Sequence, residues 1–258
     1  MPSNRKLIQP EELSIHFFVN GFSFCTPSKI EFTPKPEKSE DFKTILNDYL
    51  SYYPKDNFQS INVVMFQNPS TFIPQNLFNE KLSEAFLALY NKPKSDETLG
   101  HDTLEEIQQV NVYSYPNDIK ALFEEANLTV QYIHYNTLLY RAVLSLTSSV
   151  EFPYQLFIHF QSEAMDVFLI HKNQIIFNNR FSVTNEDEFL YYIFFIIEQF
   201  NLHSDELELV FLGKMDAFNS YYEVVRKYHN YIKFEEDKNL STPDFTQHHA
   251  PYLASYLS

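Results

Sequence analysis

The segment Leu13–Phe24 reads "LSIHFFVNGFSF" and carries the first architectural signal of the chain. Apolar and polar residues alternate over Leu13–Val19, a pattern typical of a strand with one buried face. Asn20-Gly21 favours a tight primed turn because both residues accept positive φ angles. Phe22–Thr26 has the composition of a returning strand. The stretch therefore predicts a β-hairpin near the start of the chain.

The residues after this hairpin predict further strands and helices in a regular order. Lys29–Thr33 reads as a third strand, and residues 39–53 as a helix with Ser39 as its N-cap. Ser60–Phe66 is a buried, β-branched strand. The remaining predictions for this part are a helix over Pro74–Tyr90, a loop over Asn91–Asp102, a strand over Val110–Tyr115, a helix over Asn117–Ala126, a strand over Leu128–Tyr135 and a helix over Thr137–Leu146.

Beyond a break near residue 150, the opening order returns. Three strands, then helix and strand in alternation, are predicted at Tyr154–Gln161, Met165–Lys172, Gln174–Val183, Glu186–Phe200, Leu207–Leu212, Ala217–Asn230, Tyr231–Glu235 and, as a closing helix, Tyr252–Leu257. Asn185 and Glu188 have capping-box spacing. Because such internal repetition defines architecture, we predict an α/β protein with mixed sheets and two similar halves, residues 1–149 and 150–258.

Composition and charge exclude several functional classes. The formal net charge of −15 argues against nucleic acid and against an anionic membrane surface, because both attract lysine and arginine. The longest apolar run, Phe189–Ile197, is far shorter than the ~20 residues that span a bilayer. One cysteine, Cys25, fits a reducing compartment, and the N-terminus lacks an apolar signal-peptide core. We therefore expect a cytoplasmic protein that does not insert into a membrane.

The duplicated β-β-β-α-β-α-β-α order resembles the actin-like ATPase fold, in which two ribonuclease-H-like halves face a cleft. With its opening "LSIHFFVNGFSFC", Leu13–Cys25, the chain looks more closely like a bacterial family of domains of unknown function with this fold. It is also similar in layout to the actin-like platform proteins of type IV pilus assembly and type II secretion. The resemblance implies an actin-like ATPase fold with nucleotide-binding loops at the hairpins.

The loops that would bind phosphate are degraded in this chain. Actin-like ATPases carry Asp-x-Gly on each hairpin: the acid positions Mg²⁺, and the glycine lets backbone N–H groups approach phosphate. The first triplet here is Val19-Asn20-Gly21, with valine in place of the acid. The second turn, Gln161–Met165, contains no glycine, although Glu163 or the nearby Asp166 could supply charge.

The adenosine motif is degraded as well. The resemblance implies a Gly-Gly pair after the fourth strand of the second half, where Phe211–Met215 contains only Gly213. We therefore predict no catalytic residue, no metal ligand and no cofactor. The degenerate cleft loops comprise Asn20, Gly21, Ser162, Glu163, Asp166, Gly213 and Lys214.

Three functional hypotheses follow. The leading one is a non-catalytic scaffold or interaction module, a pseudo-ATPase with a protein partner. The second is an atypical ATPase or kinase that binds Mg-ATP through Asn20, Glu163, Asp166 and Lys214. The third is a module that binds a small molecule between the halves. The sequence leaves the oligomeric state open.

Several other residue groups have a structural and a functional interpretation. The acidic stretch Ser95–Glu106 predicts a solvated loop or a mobile insert that contacts a partner. The Tyr- and Phe-rich helices predict core, with a partner groove as the alternative. His16, His134 and His159 are expected at the core edge, bonded to backbone. His248 and His249, near Asp244, are weak candidates for metal ligands because zinc sites need three or four convergent groups.

Overall fold

The computed structural model describes residues 11–18, 21–26, 29–34, 39–52, 58–66, 68–89, 91–125, 128–146, 151–161, 164–213 and 216–235. The chain forms two compact units, the first ending at Leu139 and the second beginning at Tyr140. The sequence-based division between residues 149 and 150 stays a prediction. None of the helices that the structure describes is long and apolar enough to cross a membrane.

The first unit is built on a five-stranded mixed sheet. Its elements are β1 (Glu11–Phe18), β2 (Gly21–Thr26), β3 (Lys29–Pro34), α1 (Ser39–Tyr52), β4 (Phe58–Met65), β5 (Ser70–Pro74), α2 (Ser83–Ala88), β6 (Glu97–Leu104), β7 (Gln109–Pro116), α3 (Asn117–Glu125), β8 (Gln131–His134) and the start of α4 (Tyr135–Leu146). The sheet order is β3-β2-β1-β4-β8. The first three strands are antiparallel, and β4 and β8 continue the sheet in parallel with β1.

The second unit repeats this topology. It contains β9 (Tyr154–Gln161), β10 (Ala164–His171), β11 (Gln174–Ser182), α5 (Glu186–Gln199), β12 (Leu207–Leu212), α6 (Asn219–Val225) and β13 (Ile232–Glu235). The sheet order is β11-β10-β9-β12-β13, with the same parallel and antiparallel pairs at equivalent places. The predicted duplicated α/β fold with mixed sheets is confirmed.

Alternation along the central strand of each sheet separates an apolar core from a second buried face. Leu13 and Ile15 of β1 enter the core cluster of the first unit, and Leu156, Ile158 and Phe160 of β9 enter that of the second. Since successive side chains of a strand point to opposite faces, the residues between them lie on the other side of each sheet. That second face carries the buried polar groups of both hairpins.

A three-stranded sheet, β5-β7-β6, is inserted in the first unit between β4 and α3. Two predictions in this region are wrong. In place of a helix over Pro74–Tyr90, the chain forms β5, two 3₁₀ turns and only the short α2. The loop predicted over Asn91–Asp102 is present only over residues 91–96, because Glu97–Leu104, within the acidic stretch Ser95–Glu106, forms β6 and pairs with β7 along its whole length.

A glycine explains how the polar β6 packs against β7. A Cβ on Gly100 would lie 2.8 Å from Cε2 and 2.9 Å from Cζ of Tyr113. The tyrosine ring therefore occupies the space that a side chain at position 100 would need. This cross-strand contact stabilises β6, and the polar composition of the strand does not predict it.

The helix ends of the second unit differ in detail from their predictions. Asn185 caps α5 by accepting a hydrogen bond of 2.9 Å from the backbone N–H of Glu188. The Glu188 carboxylate accepts from the N–H of Thr184 at 2.8 Å, one residue before the predicted partner. The helix predicted over Ala217–Asn230 is shorter at both ends, because a 3₁₀ turn precedes α6 and the helix ends at Val225. The predicted closing helix and His248 and His249 lie outside the described residues.

Candidate functional site: two equivalent hairpins

The strand registers define the turn of each hairpin. Phe18 pairs with Gly21, so Val19 and Asn20 connect β1 to β2. Gln161 pairs with Ala164 in the same way, and two residues connect β9 to β10. The predicted turn over Asn20-Gly21 is therefore one residue out of place, because Gly21 is a strand residue. The site residues Asn20, Ser162, Glu163 and Lys214 lie outside the described residues.

Gly21 is required by strand packing. A Cβ at this position would lie 2.4 Å from the carbonyl oxygen of Thr33 and 2.7 Å from Cζ of Phe32. Both contacts are with β3, the neighbouring strand, and the nearer one is with backbone that cannot move aside cheaply. The close approach of β3 accounts for glycine here without any phosphate ligand.

Glycine at position 213 is explained by its backbone conformation rather than by close packing. It follows β12 with a φ of 79°, in the region that glycine adopts at the least cost. Its backbone N–H donates a hydrogen bond of 2.8 Å to the carbonyl of Glu235 on β13. The amide is therefore engaged within the sheet.

The two hairpins place a histidine at the same position. "LSIHF" at Leu13–Phe17 and "LFIHF" at Leu156–Phe160 share four of five residues, 143 positions apart. His16 lies opposite Ser23 on the paired strand, and His159 lies opposite Asp166, also 143 positions apart. This repeated pentapeptide was the sequence signal for the equivalence, and the sequence-based reasoning did not use it.

The surroundings of His16 are aromatic and nearly uncharged. Its side chain is completely buried, and its Nε2 shares a hydrogen bond of 3.1 Å with the hydroxyl of Ser14. The Phe66 ring lies 5.5 Å away between centroids. Burial lowers the pKa of His16 to about 3, so the ring is neutral at physiological pH. Across the pair, the buried Ser23 hydroxyl has no hydrogen-bond partner among the described residues.

The surroundings of His159 are polar and charged. The Asp166 side chain is buried, and its Oδ2 accepts a hydrogen bond of 3.0 Å from Nε2 of Gln161. Gln161 in turn accepts one of 3.1 Å from the Arg180 guanidinium on β11. The Nδ1 atom of His159 lies 3.5 Å from the Asp166 carboxylate and has no hydrogen-bond partner among the described residues.

Among the predicted site residues that the structure describes, Asp166 contacts polar residues that the prediction did not include. Asp166, His159 and Gln161 are buried together on the second sheet, and the half-buried Arg180 bonds to Gln161. A carboxylate bonded in this way is oriented by its own strands, and exposing it to a metal would leave buried partners unsatisfied. Among the residues that the structure describes, no group of three or more His, Cys, Asp or Glu side chains could hold a metal ion.

A second polar network, in the first unit, surrounds Asp102 of β6. Its Oδ2 accepts hydrogen bonds from the N–H of His134 at 2.8 Å and from the hydroxyl of Thr137 at 2.6 Å. Its Oδ1 lies 3.1 Å from the Tyr113 hydroxyl, which is also 3.0 Å from the carbonyl of Tyr132. Burial, and then the nearby carboxylate, raise the pKa of Tyr113 above its usual range.

The Asp102 network has a structural role that the sequence-based reasoning missed. It ties the inserted sheet to the end of β8 and the first turn of α4. His134 completes it: Nδ1 accepts from the Asn136 N–H at 3.1 Å, so Nε2 carries the proton donated to the Asn68 carbonyl at 3.0 Å. The prediction that His134 bonds to backbone is confirmed. The only sequence signal for the network was the isolated Gly100 beside Asp102.

The duplicated sheets and hairpins place the protein in the actin-like ATPase fold. A Bacteroides thetaiotaomicron protein of unknown function with this fold superposes with a TM-score of 0.72 at 15% identity, covering 93% of this chain and 97% of the other. The PilM-PilN type IV pilus biogenesis complex gives 0.57 at 11% identity, covering 96% of both chains.

The family follows from the sequence itself. Residues 4–232 match the model of the family described as "Protein of unknown function (DUF3822)", and the chain belongs to that family. No curated protein sequence matches the chain. The expected resemblance to an actin-like family of unknown function is therefore confirmed.

Proposed function

We propose that this protein is a non-catalytic, cytoplasmic interaction protein that retains the actin-like fold and has lost ATP hydrolysis. The observation that carries the proposal is the buried state of Asp166. It is the acidic residue nearest the second turn among those described, and its carboxylate is bonded to Gln161 and faces His159. A residue that organises Mg²⁺ and its waters must be accessible to the metal. The Asp166 carboxylate is instead buried and hydrogen-bonded within its own sheet.

The two glycines support the same proposal. Gly21 is required by the approach of β3, and the amide of Gly213 is bonded to β13. Phosphate binding by backbone depends on N–H groups that point at the ligand with no partner of their own. Both glycines that match nucleotide-loop positions thus have structural explanations that involve no nucleotide.

A protein partner is supported by one structural neighbour. PilM takes part in the PilM-PilN type IV pilus biogenesis complex, so a chain with this topology assembles with another protein there. The buried, thiol-bearing Cys25 fits the reducing compartment that we propose for this protein.

Calorimetric titration of the full chain with Mg-ATP, together with an assay for released phosphate, tests the proposal. We expect neither saturable heat nor phosphate release above the buffer rate. Lys214→Ala is the informative variant, and Lys43→Ala, which removes the exposed pair with Glu125, is its matched control. Saturable binding that Lys214→Ala abolishes and Lys43→Ala preserves would establish the alternative, an atypical nucleotide-binding protein.

A further inference from the structure

Helix α5 exposes aromatic side chains on the face turned away from its core. Phe189, Ile193 and Ile196 are completely buried against the second sheet. On the outer side, Tyr191 is 63%, Phe194 39% and Phe195 43% exposed. These three fall at helical spacing, so they form one continuous row along the helix.

The row extends onto the segment after α6. The rings of Phe194 and Tyr228 meet edge to face, with centroids 5.5 Å apart, and Tyr228 is 61% exposed. Tyr191 and Phe195 lie nearly parallel at 6.3 Å. A shallow depression adjoins the row, and Ile197, Glu198 and Leu202 contribute to its lining. We call Tyr191, Phe194, Phe195 and Tyr228 the α5 aromatic surface.

Clustered exposed aromatic residues are typical of an interaction site. Single apolar side chains are common on any protein surface, whereas a contiguous apolar patch marks a place where another molecule binds. Tyrosine and phenylalanine contribute large contact areas with few rotatable bonds, and they are enriched at the centres of protein interfaces. The α5 aromatic surface has this composition.

Charge identifies the kind of partner. The sequence of α5, which the structure describes in full, contains four carboxylates and no lysine or arginine. Asp187 precedes Tyr191 by four residues and Glu198 follows Phe194 by four, so an exposed acid stands at each end of the aromatic row. A complementary segment carries apolar side chains between positively charged ones.

Two other occupants fit the charges poorly. A second copy would bring the same surface against itself, as a two-fold interface requires, and would place carboxylate against carboxylate between chains of net charge −15. The chain's own residues 236–258 contain three acidic residues and one lysine. Residues 236–258 thus carry more acid than base, and on a second copy the positive charge that the structure describes at this surface is limited to the exposed Arg226 and Lys227, which precede Tyr228.

We propose that the α5 aromatic surface binds a cationic amphipathic helix of another protein, with its apolar side packed on Tyr191, Phe194, Phe195 and Tyr228. Lysine or arginine at the ends of that helix pairs with Asp187 and Glu198. An amphipathic helix supplies apolar anchors at the same helical spacing as the row it contacts. This inference rests on the proposed function, because it assigns the partner-binding surface of an interaction protein.

Photo-cross-linking in cells that produce the full chain tests the inference. Benzoylphenylalanine replaces Tyr191 or Phe195, and, as a control outside the surface, the exposed Ile176 of β11. We expect positions 191 and 195, and not 176, to cross-link to a segment of another protein that combines apolar residues with excess lysine and arginine. Cross-links to residues 236–258, to a second copy, to an acidic segment, or to nothing would each overturn the inference.

A synthetic peptide with the cross-linked sequence provides the quantitative test. We expect Phe194→Asp to weaken its binding about tenfold or more, as loss of a central anchor does at interfaces. Glu198→Lys, at an exposed end of the surface, should weaken it by a smaller factor of about two to five. Ile176→Asp is the matched control and leaves the affinity unchanged. Unchanged melting temperatures show that the variants fold. Equal affinity of the Phe194→Asp variant and the unmodified protein would overturn the inference.

The two proposals fail in different ways. If the protein turns over Mg-ATP, the proposed function fails whatever α5 binds. If the protein neither hydrolyses ATP nor depends on α5 for its partner, the proposed function stands and the surface assignment fails.

Discussion

The hairpins β1–β2 and β9–β10 share their strand register and their buried histidine, but the residues around that histidine differ. His16 lies among phenylalanine rings and faces a serine, whereas His159 faces an aspartate bonded to further polar groups. Ala164 of the second hairpin occupies the position of Gly21 in the first. The backbone of the repeated unit has therefore been kept while its buried polar groups diverged.

This difference separates what the fold needs from what nucleotide chemistry needs. Two sheets with identical strand order form from apolar alternation and compatible turns, whichever polar residues lie on the second face. Phosphate chemistry depends on particular acids and bare backbone at the turns. Function belongs to the site and can be lost while the fold remains.

The largest expected effect comes from Asp166→Ala. The substitution removes a buried carboxylate and leaves Gln161 without its acceptor beside His159. We expect the free energy of unfolding to fall by about 3 kcal/mol, the upper end of the cost of leaving a buried donor without its acceptor. Denaturant unfolding, followed by circular dichroism, measures the change.

Ser23→Ala is the matched substitution in the first hairpin. Its hydroxyl has no described hydrogen-bond partner, so its removal is expected to be neutral or slightly stabilising. Equal losses from Asp166→Ala and Ser23→Ala would show that the two hairpins are energetically alike.

Gly21→Ala ranks next. The new methyl group would overlap the Thr33 carbonyl, and β3 would have to move; we expect a loss of about 2 kcal/mol. Ala164→Gly, the converse change in the other hairpin, should cost only about 0.5–1 kcal/mol through backbone entropy. Thermal melting of both variants checks the order, and a tolerated alanine at position 21 would refute the packing explanation for this glycine.

The pH dependence of stability tests the apolar setting of His16. Its folded-state pKa of about 3 lies below the unfolded value of about 6.5, so between these pH values the unfolded chain binds the extra proton. The contribution of His16 to stability is therefore full above pH 6.5 and falls with decreasing pH, by up to about 1.4 kcal/mol per pH unit.

His16→Gln removes this titration. Relative to the unmodified protein, the variant should gain stability steadily from pH 6.5 to pH 4, while the difference between the two stays constant above pH 7.5. Urea unfolding at several pH values measures the difference. A constant difference at all pH values would mean that His16 protonates equally in both states.

The last comparison concerns the N-caps of the equivalent helices α1 and α5. Asn185→Ala removes the hydrogen bond to the Glu188 amide and should cost about 1 kcal/mol. Ser39 is the sequence-predicted cap of α1, the corresponding helix of the first unit, and Ser39→Ala should cost a similar amount if the repeat extends to the caps. Equilibrium unfolding of the two variants makes the comparison, and a silent Ser39→Ala would limit the repeat to the sheets.

The central sheets could be predicted from sequence because local apolar patterns identify their strands. The boundaries of β9 and β12 agree with the prediction to the residue, since apolar runs bounded by turn residues define them. The inserted sheet could not be predicted in this way. The polar sequence "ETLGHDTL" forms β6 only because β7 pairs with it and the Tyr113 ring covers Gly100.

The site was predictable in outline and not in detail. The missing acid at Val19 and the missing glycine in the second turn are visible in the sequence. The register that makes Gly21 a strand residue depends on its pairing with Phe18, which the Asn-Gly dipeptide alone does not determine. The bonding of Gln161 to Asp166 on one side and to Arg180 on the other depends on three strands meeting in the sheet, so no local pattern encodes it.

The carboxylate of Asp102 has a consequence for how the inserted sheet opens. Because it accepts hydrogen bonds from the end of β8 and the first turn of α4, the insert cannot detach without breaking bonds in the main body of the unit. Amide protons of β6 and β8 should therefore exchange with deuterium at matched rates, as one cooperative opening unit. The inserted strand β6 therefore contributes to the stability of the unit that contains it.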